Sequence, residues 1–118
     1  MMKKPITMLD RSVWSEGDDF WQGEFEGRTF GTNASVMFYT VNEVGKGTGL
    51  HKHPYDEIFI MRQGNALFTI GDQEIRASAG QVLFGPANIP HKYVNLGPGP
   101  LETLDIHVSD VFIQENLD

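Results

Sequence analysis

The sequence predicts an all-β fold, a sandwich or barrel formed by a single domain. Three observations support this. Short runs rich in β-branched and aromatic residues recur at about eight- to twelve-residue spacing, with turn signals between them. Thirteen glycines in 118 residues exceed average usage and suit sharp turns between short strands. A chain of 118 residues is long enough to bury a core of its own.

Residues 1–34 read as an N-terminal arm. Trp14, Phe20, Trp21, Phe25 and Phe30 are too many aromatics for a solvated tail, and residues 20–25 and 28–30 read as short edge strands around Gly27. The arm either closes one end of the barrel or packs on a partner subunit. Residues 35–110 form the barrel. Residues 35–44 carry apolar side chains on both faces, as a buried strand does. Gly45, Gly47 and Gly49 turn the chain into a strand holding His51 and His53, and Pro54, which cannot donate to a ladder, turns it again through Tyr55 and Asp56. Residues 57–61 return beside that strand. Gln63-Gly64-Asn65 leads into residues 66–70, and Gly71-Asp72 is a two-residue hairpin signal before the more polar return at 73–77. Residues 82–84 are short and apolar, residues 97–100 are a Gly-Pro loop, and the alternating residues 101–108 close the sheet. The tail, residues 111–118, is compatible with a short helix or with a lid strand.

A formal charge of −7 argues against nucleic acid and anionic membrane surfaces as partners. With no cysteine, disulfide scaffolds and thiolate sites are excluded. Lys3 and Lys4 precede no apolar leader segment and no run approaches a membrane span, so a cytoplasmic protein is expected.

The chemistry gathers around residues 45–64. On an extended chain His51 and His53 point to one side, because side chains alternate across a strand. On a helix they would stand about 200° apart and could share no ligand. Glu57 opens the return strand, so two imidazoles and a carboxylate face one point, and His91 adds a third imidazole from the glycine- and proline-rich stretch 80–95. Three imidazoles and one carboxylate suit a single divalent transition metal: Fe, Mn, Ni, Cu or Zn.

Both stretches closely resemble the cupin superfamily. Gly45, His51, His53, Glu57 and Gly64 match its first motif: a glycine, five residues, His-x-His, three residues, Glu, six residues, Gly. Gly80, Pro86, His91 and Asn95 match the second. The departure is Asn88, where the family usually has glycine; Asn tolerates a positive φ best after Gly, so the turn is expected to survive. The resemblance implies a double-stranded β-helix, or jelly-roll barrel, with His51, His53, Glu57 and His91 as metal ligands. It does not specify a reaction.

By parity Phe59 and Met61 share the face of Glu57, and Tyr93 that of His91, so all three are expected to line the pocket. Glu57 and Tyr93 are the candidate catalytic residues. His107 shares a face with Thr103 and Asp105, opposite Leu104, Ile106 and Val108. The clean alternation favours the apolar side as the interior; the inward reading would make His107 a pocket base. Three functions follow. First is an oxidoreductase of dioxygenase type, with an open metal site against an apolar wall of Phe59, Met61 and Phe38. The alternative is a non-redox isomerase, cyclase or decarboxylase in which the metal is a Lewis acid and inward Asp105 and His107 move protons. Third is a small-ligand binding module. A small-molecule substrate and a homodimer are the expected partners, since the aromatic arm and strand edges leave surface to cover.

Overall fold

The structure, a computed structural model, describes residues 7–17 and 20–118. The first six residues of the expected arm, with Asp18 and Asp19, lie outside the described residues. Among the described residues the turn-rich, β-branched sequence gives ten strands: β1 (Gly23–Phe25), β2 (Ser35–Val41), β3 (His51–Lys52), β4 (Glu57–Gln63), β5 (Asn65–Ile70), β6 (Gln73–Ser78), β7 (Val82–Gly85), β8 (His91–Asn95), β9 (Leu101–His107) and β10 (Glu115–Asn116). They form two five-stranded sheets, ordered β1-β2-β9-β4-β7 and β10-β3-β8-β5-β6, with antiparallel pairing throughout. This is the nearly all-β cupin-type jelly roll. Among the described residues no helix is long and apolar enough to cross a membrane.

The inner faces follow strict alternation. Glu57, Phe59 and Met61 of β4, His91, Tyr93 and Asn95 of β8, and Leu101, Thr103, Asp105 and His107 of β9 are all buried. The apolar half of this interior centres on three rings. Phe59 meets Phe68 edge-on at 5.1 Å and Phe68 stacks on Tyr93 at 4.7 Å. Each such pair contributes about 0.5–1.5 kcal/mol beyond its buried area. Gly47 faces the Tyr93 carbonyl so closely that a Cβ there would stand 1.9 Å from the oxygen, which leaves glycine alone able to bridge to β8. Asn88 takes φ 64, the left-handed conformation expected when Asn replaces glycine in this turn.

One part of the arm differs from the sequence reading. Residues Gly27–Phe30 form a 3-10 helix rather than an edge strand, closed by Gly31 at φ 67. The aromatics of the arm pack on the chain's own barrel: Trp14 stacks on Phe38 at 3.7 Å and Trp21 meets the same ring edge-on at 5.0 Å. The Trp21 indole N–H also donates to the Thr103 carbonyl at 2.7 Å. Phe38 therefore lies under the arm, on the outer face of its sheet, and is no part of the pocket wall. A four-residue helix, α1 (Arg11–Trp14), capped by the Asp10 carboxylate, brings Trp14 to this cluster. The tail contributes β10, a two-residue strand paired with β3.

Candidate metal centre

β3 pairs with β8 through His51 and His91, and β4 brings Glu57 against them from the other sheet. His53 follows β3 directly. One ligand atom from each of His51, His53, Glu57 and His91 lies within 4.8 Å of all the others, and all four residues are buried.

Hydrogen bonds fix which nitrogen faces the centre. His51 Nδ1 lies 2.7 Å from the Gly49 carbonyl, His53 Nδ1 2.7 Å from the Ile113 carbonyl, and His91 Nδ1 3.3 Å from the Ile89 carbonyl. A carbonyl oxygen only accepts, so each Nδ1 carries a proton and each Nε2 presents a lone pair. The Nε2 atoms of His53 and His91 then stand 3.1 and 3.2 Å from Glu57 Oε1. These three buried atoms have no hydrogen-bond partner. Three acceptors facing one another without a donor between them suit a cation. Donor atoms bound side by side on an ion at about 2.1 Å stand about 3.0 Å apart, close to the observed spacing. The residues fit one divalent transition metal. Burial pulls the His51 imidazole below its ordinary pKa, against the bond to Gly49, which favours the deprotonated ligand form. Burial opposes charge on Glu57, but the His107 N–H facing its Oε2, with the other imidazoles around it, outweighs it and holds the carboxyl well below the usual range.

The fourth histidine has the opposite arrangement. His107 Nε2 lies 3.2 Å from Glu57 Oε2, and its Nδ1 lies 2.7 Å from the Tyr55 hydroxyl. A carboxylate only accepts, so Nε2 carries the proton, and Nδ1 takes the hydrogen of Tyr55. His107 thus faces inward, against the reading that put the apolar side of β9 inside, and its proton holds Glu57 in place. Leu104 and Ile106 face outward instead.

Beside the centre lies a cavity of about 350 Å³, walled by Met37, Tyr39, Tyr93, Asp105, His107 and Gln114 together with His51. Phe59 and Met61, expected on this wall, are only 1% exposed and pack in the core. Phe59 meets the His91 ring edge-on at 5.2 Å. Met37, Tyr39 and Gln114 were not indicated by the sequence. Tyr93 donates its hydroxyl proton to Asp105 Oδ2 at 2.7 Å and lies 3.2 Å from Thr103 Oγ1. The other Asp105 oxygen, Oδ1, is buried and unpartnered. Burial, and then the negative charge of Glu57, push the Asp105 carboxyl well above its ordinary value. Among the described residues no lysine or arginine lines the cavity.

The sequence profile of the cupin domain matches residues 37–107, which span every group of the site described above except Ile113 and Gln114. The chain belongs to the cupin family. Two curated relatives of this cupin are uncharacterized proteins, one of Methanocaldococcus jannaschii, 36% identical over 62 residues, and one of Streptomyces coelicolor, 30% identical over 61. These alignments cover 52% of this chain and 50% and 57% of theirs, so the matched region is about half of each relative. Similar solved structures include Bacillus subtilis oxalate decarboxylase, a protein with Mn(II) centres, with a TM-score of 0.74 and 25% identity over 80% of this chain and 27% of that one. A formate complex of Lactobacillus farciminis oxalate decarboxylase has a TM-score of 0.73 at 22% identity, over 80% of this chain and 30% of that one.

Proposed function

We propose that this cupin is a metal-dependent enzyme that decarboxylates a small organic acid, with Asp105 supplying the proton that replaces the lost carboxyl group. The observation that carries this reading is Asp105, a buried carboxyl among the cavity's lining residues with one oxygen, Oδ1, left without a hydrogen-bond partner. The metal would be held by His51, His53, Glu57 and His91 and would polarise a bound carbonyl or carboxylate oxygen as a Lewis acid. Loss of carbon dioxide leaves an electron pair on the substrate, and that pair must take up a proton. Tyr93 fixes Oδ2 as an acceptor, which leaves Oδ1 as the oxygen that carries the Asp105 proton. Burial favours the protonated form of that carboxyl. With no lysine or arginine among the described residues that line the cavity, a bound metal would supply the positive charge there, which suits an acid chelated to it rather than one held by a second ion pair.

The likeness to manganese oxalate decarboxylases supports this reading over the dioxygenase that the open metal site first suggested. Oxygen stoichiometry separates the two. Protein loaded with Mn(II), assayed against oxalate and a panel of 2-oxo and 3-oxo acids, should release carbon dioxide without consuming oxygen in proportion. One oxygen taken up per substrate would replace decarboxylation with dioxygenation.

The proposed assembly is a homodimer through the outer face of the β4-containing sheet. Register places Val82, Ile60 and Leu104 in one outward row and Phe84, Ile58 and Ile106 in the next. Val82 is 62% exposed and Phe84 54%, both on the edge strand β7. A contiguous apolar face at a strand edge is a surface that soluble chains cover. Sedimentation should therefore find a dimer at about tens of micromolar, a range set by a stable interface, and Phe84→Asp should convert it to monomer. A monomeric parent protein at that concentration would remove the dimer.

A further inference from the structure

The tail does more than finish the second sheet. It is fastened along its length: Ser35 Oγ donates to the Ser109 carbonyl at 2.8 Å, the Phe112 N–H donates to Glu26 Oε2 at 2.9 Å, and the Leu117 N–H donates to the Leu50 carbonyl at 2.9 Å. Its strand lies beside the ligand strand, with Asn116 opposite His51 and Glu115 opposite Lys52. At the centre of the tail is the peptide of Ile113. Its carbonyl accepts the Nδ1 proton of His53, and its N–H donates to the Tyr55 hydroxyl at 3.2 Å. Tyr55 in turn donates to His107, which donates to Glu57. One residue of the tail thus reaches two of the four metal ligands, one directly and one through a two-residue relay.

We infer that the C-terminal tail is a clasp on the metal centre: docking of Ile113 orients His53 and Glu57, so tail closure and metal binding are coupled. The inference rests on the metal-site reading above. Outer groups that orient metal ligands typically change affinity by about 10–100-fold. The clasp is also shallow. Ile113 is 48% exposed, Leu117 is 42% exposed, and β10 has only two residues. Segments with little buried surface open at small free-energy cost, so a modest coupling shifts their opening measurably. Coupling is reciprocal: if the docked tail tightens metal binding, bound metal must hold the tail down by the same factor.

Hydrogen exchange on the full chain tests this with Zn(II), which stays divalent. Zinc should slow exchange at residues 51–57 and at 91, and should slow it at Ile113 and Leu117 as well. Protection at the ligand strands with unchanged exchange in the tail would overturn the clasp while leaving the metal site standing. No protection anywhere would overturn both. Tyr55→Phe cuts the relay but keeps the ring that stacks on His53 at 5.0 Å. It should weaken zinc binding, measured by chelator competition, by about 10–100-fold, and reduce the zinc-dependent protection of the tail, with the melting temperature of the metal-free protein little changed. Affinity within about twofold of the parent would also overturn the inference, since an outer ligand group acts well beyond that.

Discussion

Replacing Asp105 with Asn should lower turnover by about 10²–10⁴-fold, the range for loss of a general acid, while leaving metal content at the parental level. The substitution is close to isosteric. The amide oxygen can still accept from Tyr93, which donates to Asp105 Oδ2 at 2.7 Å, so the cavity keeps its shape and loses only an ionisable proton. The variant should also be no less stable at neutral pH. Burial raises the Asp105 carboxyl well above its ordinary value. A carboxyl raised on folding favours the folded state below its unfolded pKa, and that advantage is lost as pH rises toward the folded value. An amide has no such loss, so a fall in activity cannot be assigned to unfolding. The measurement is carbon dioxide release from the acid identified in the panel, with bound metal determined on the same sample. Turnover within about threefold of the parent, far short of a general-acid effect, would exclude Asp105 as the proton source.

His91→Ala should weaken metal binding by more than the roughly 10–100-fold of an outer-group loss, because it removes a ligand outright. It leaves His53 Nε2 and Glu57 Oε1 facing each other at 3.1 Å with one fewer donor to complete the ion's shell. Equilibrium dialysis against Co(II) or Mn(II) reads the effect. Full occupancy in the variant would mean that the three remaining groups suffice and that His91 is only a core residue.

Part of the ligand set was legible because strand parity is a local property: His51 and His53 had to share a side if the segment was extended, with Glu57 opening the return strand. His91 was placed with them by the resemblance to the second cupin motif. The facing of β9 was not legible. Leu104, Ile106 and Val108 alternate with Thr103, Asp105 and His107, and the ordinary rule puts the apolar set inside. Here the polar set lines a metal-bearing interior, while Leu104 and Ile106 join Ile58, Ile60, Val82 and Phe84 on the outer face. An apolar pattern reports burial but cannot say which body does the burying. Phe59 and Met61 show a second limit. Parity placed them inward correctly, yet depth along the barrel axis decides whether an inward residue meets the cavity or the core. The tail was ambiguous because a two-residue strand has no periodicity to read. Its partners, Lys52 and Glu26, are distant in sequence.

The centre draws its ligands from both layers of the sandwich. His51 and His91 belong to one sheet and Glu57 to the other. An ion bound there would bolt the two sheets together across a gap otherwise spanned by side-chain packing and by hydrogen bonds such as that from Tyr93 to Asp105. Binding free energy then counts as folding free energy, since the unfolded chain does not assemble the four groups. At a free metal concentration of about a hundred times the dissociation constant, that linkage is worth about 2.7 kcal/mol. For a domain of this size such an amount is a large part of net stability. The supply of metal would therefore set how long the folded protein persists as well as whether it can act.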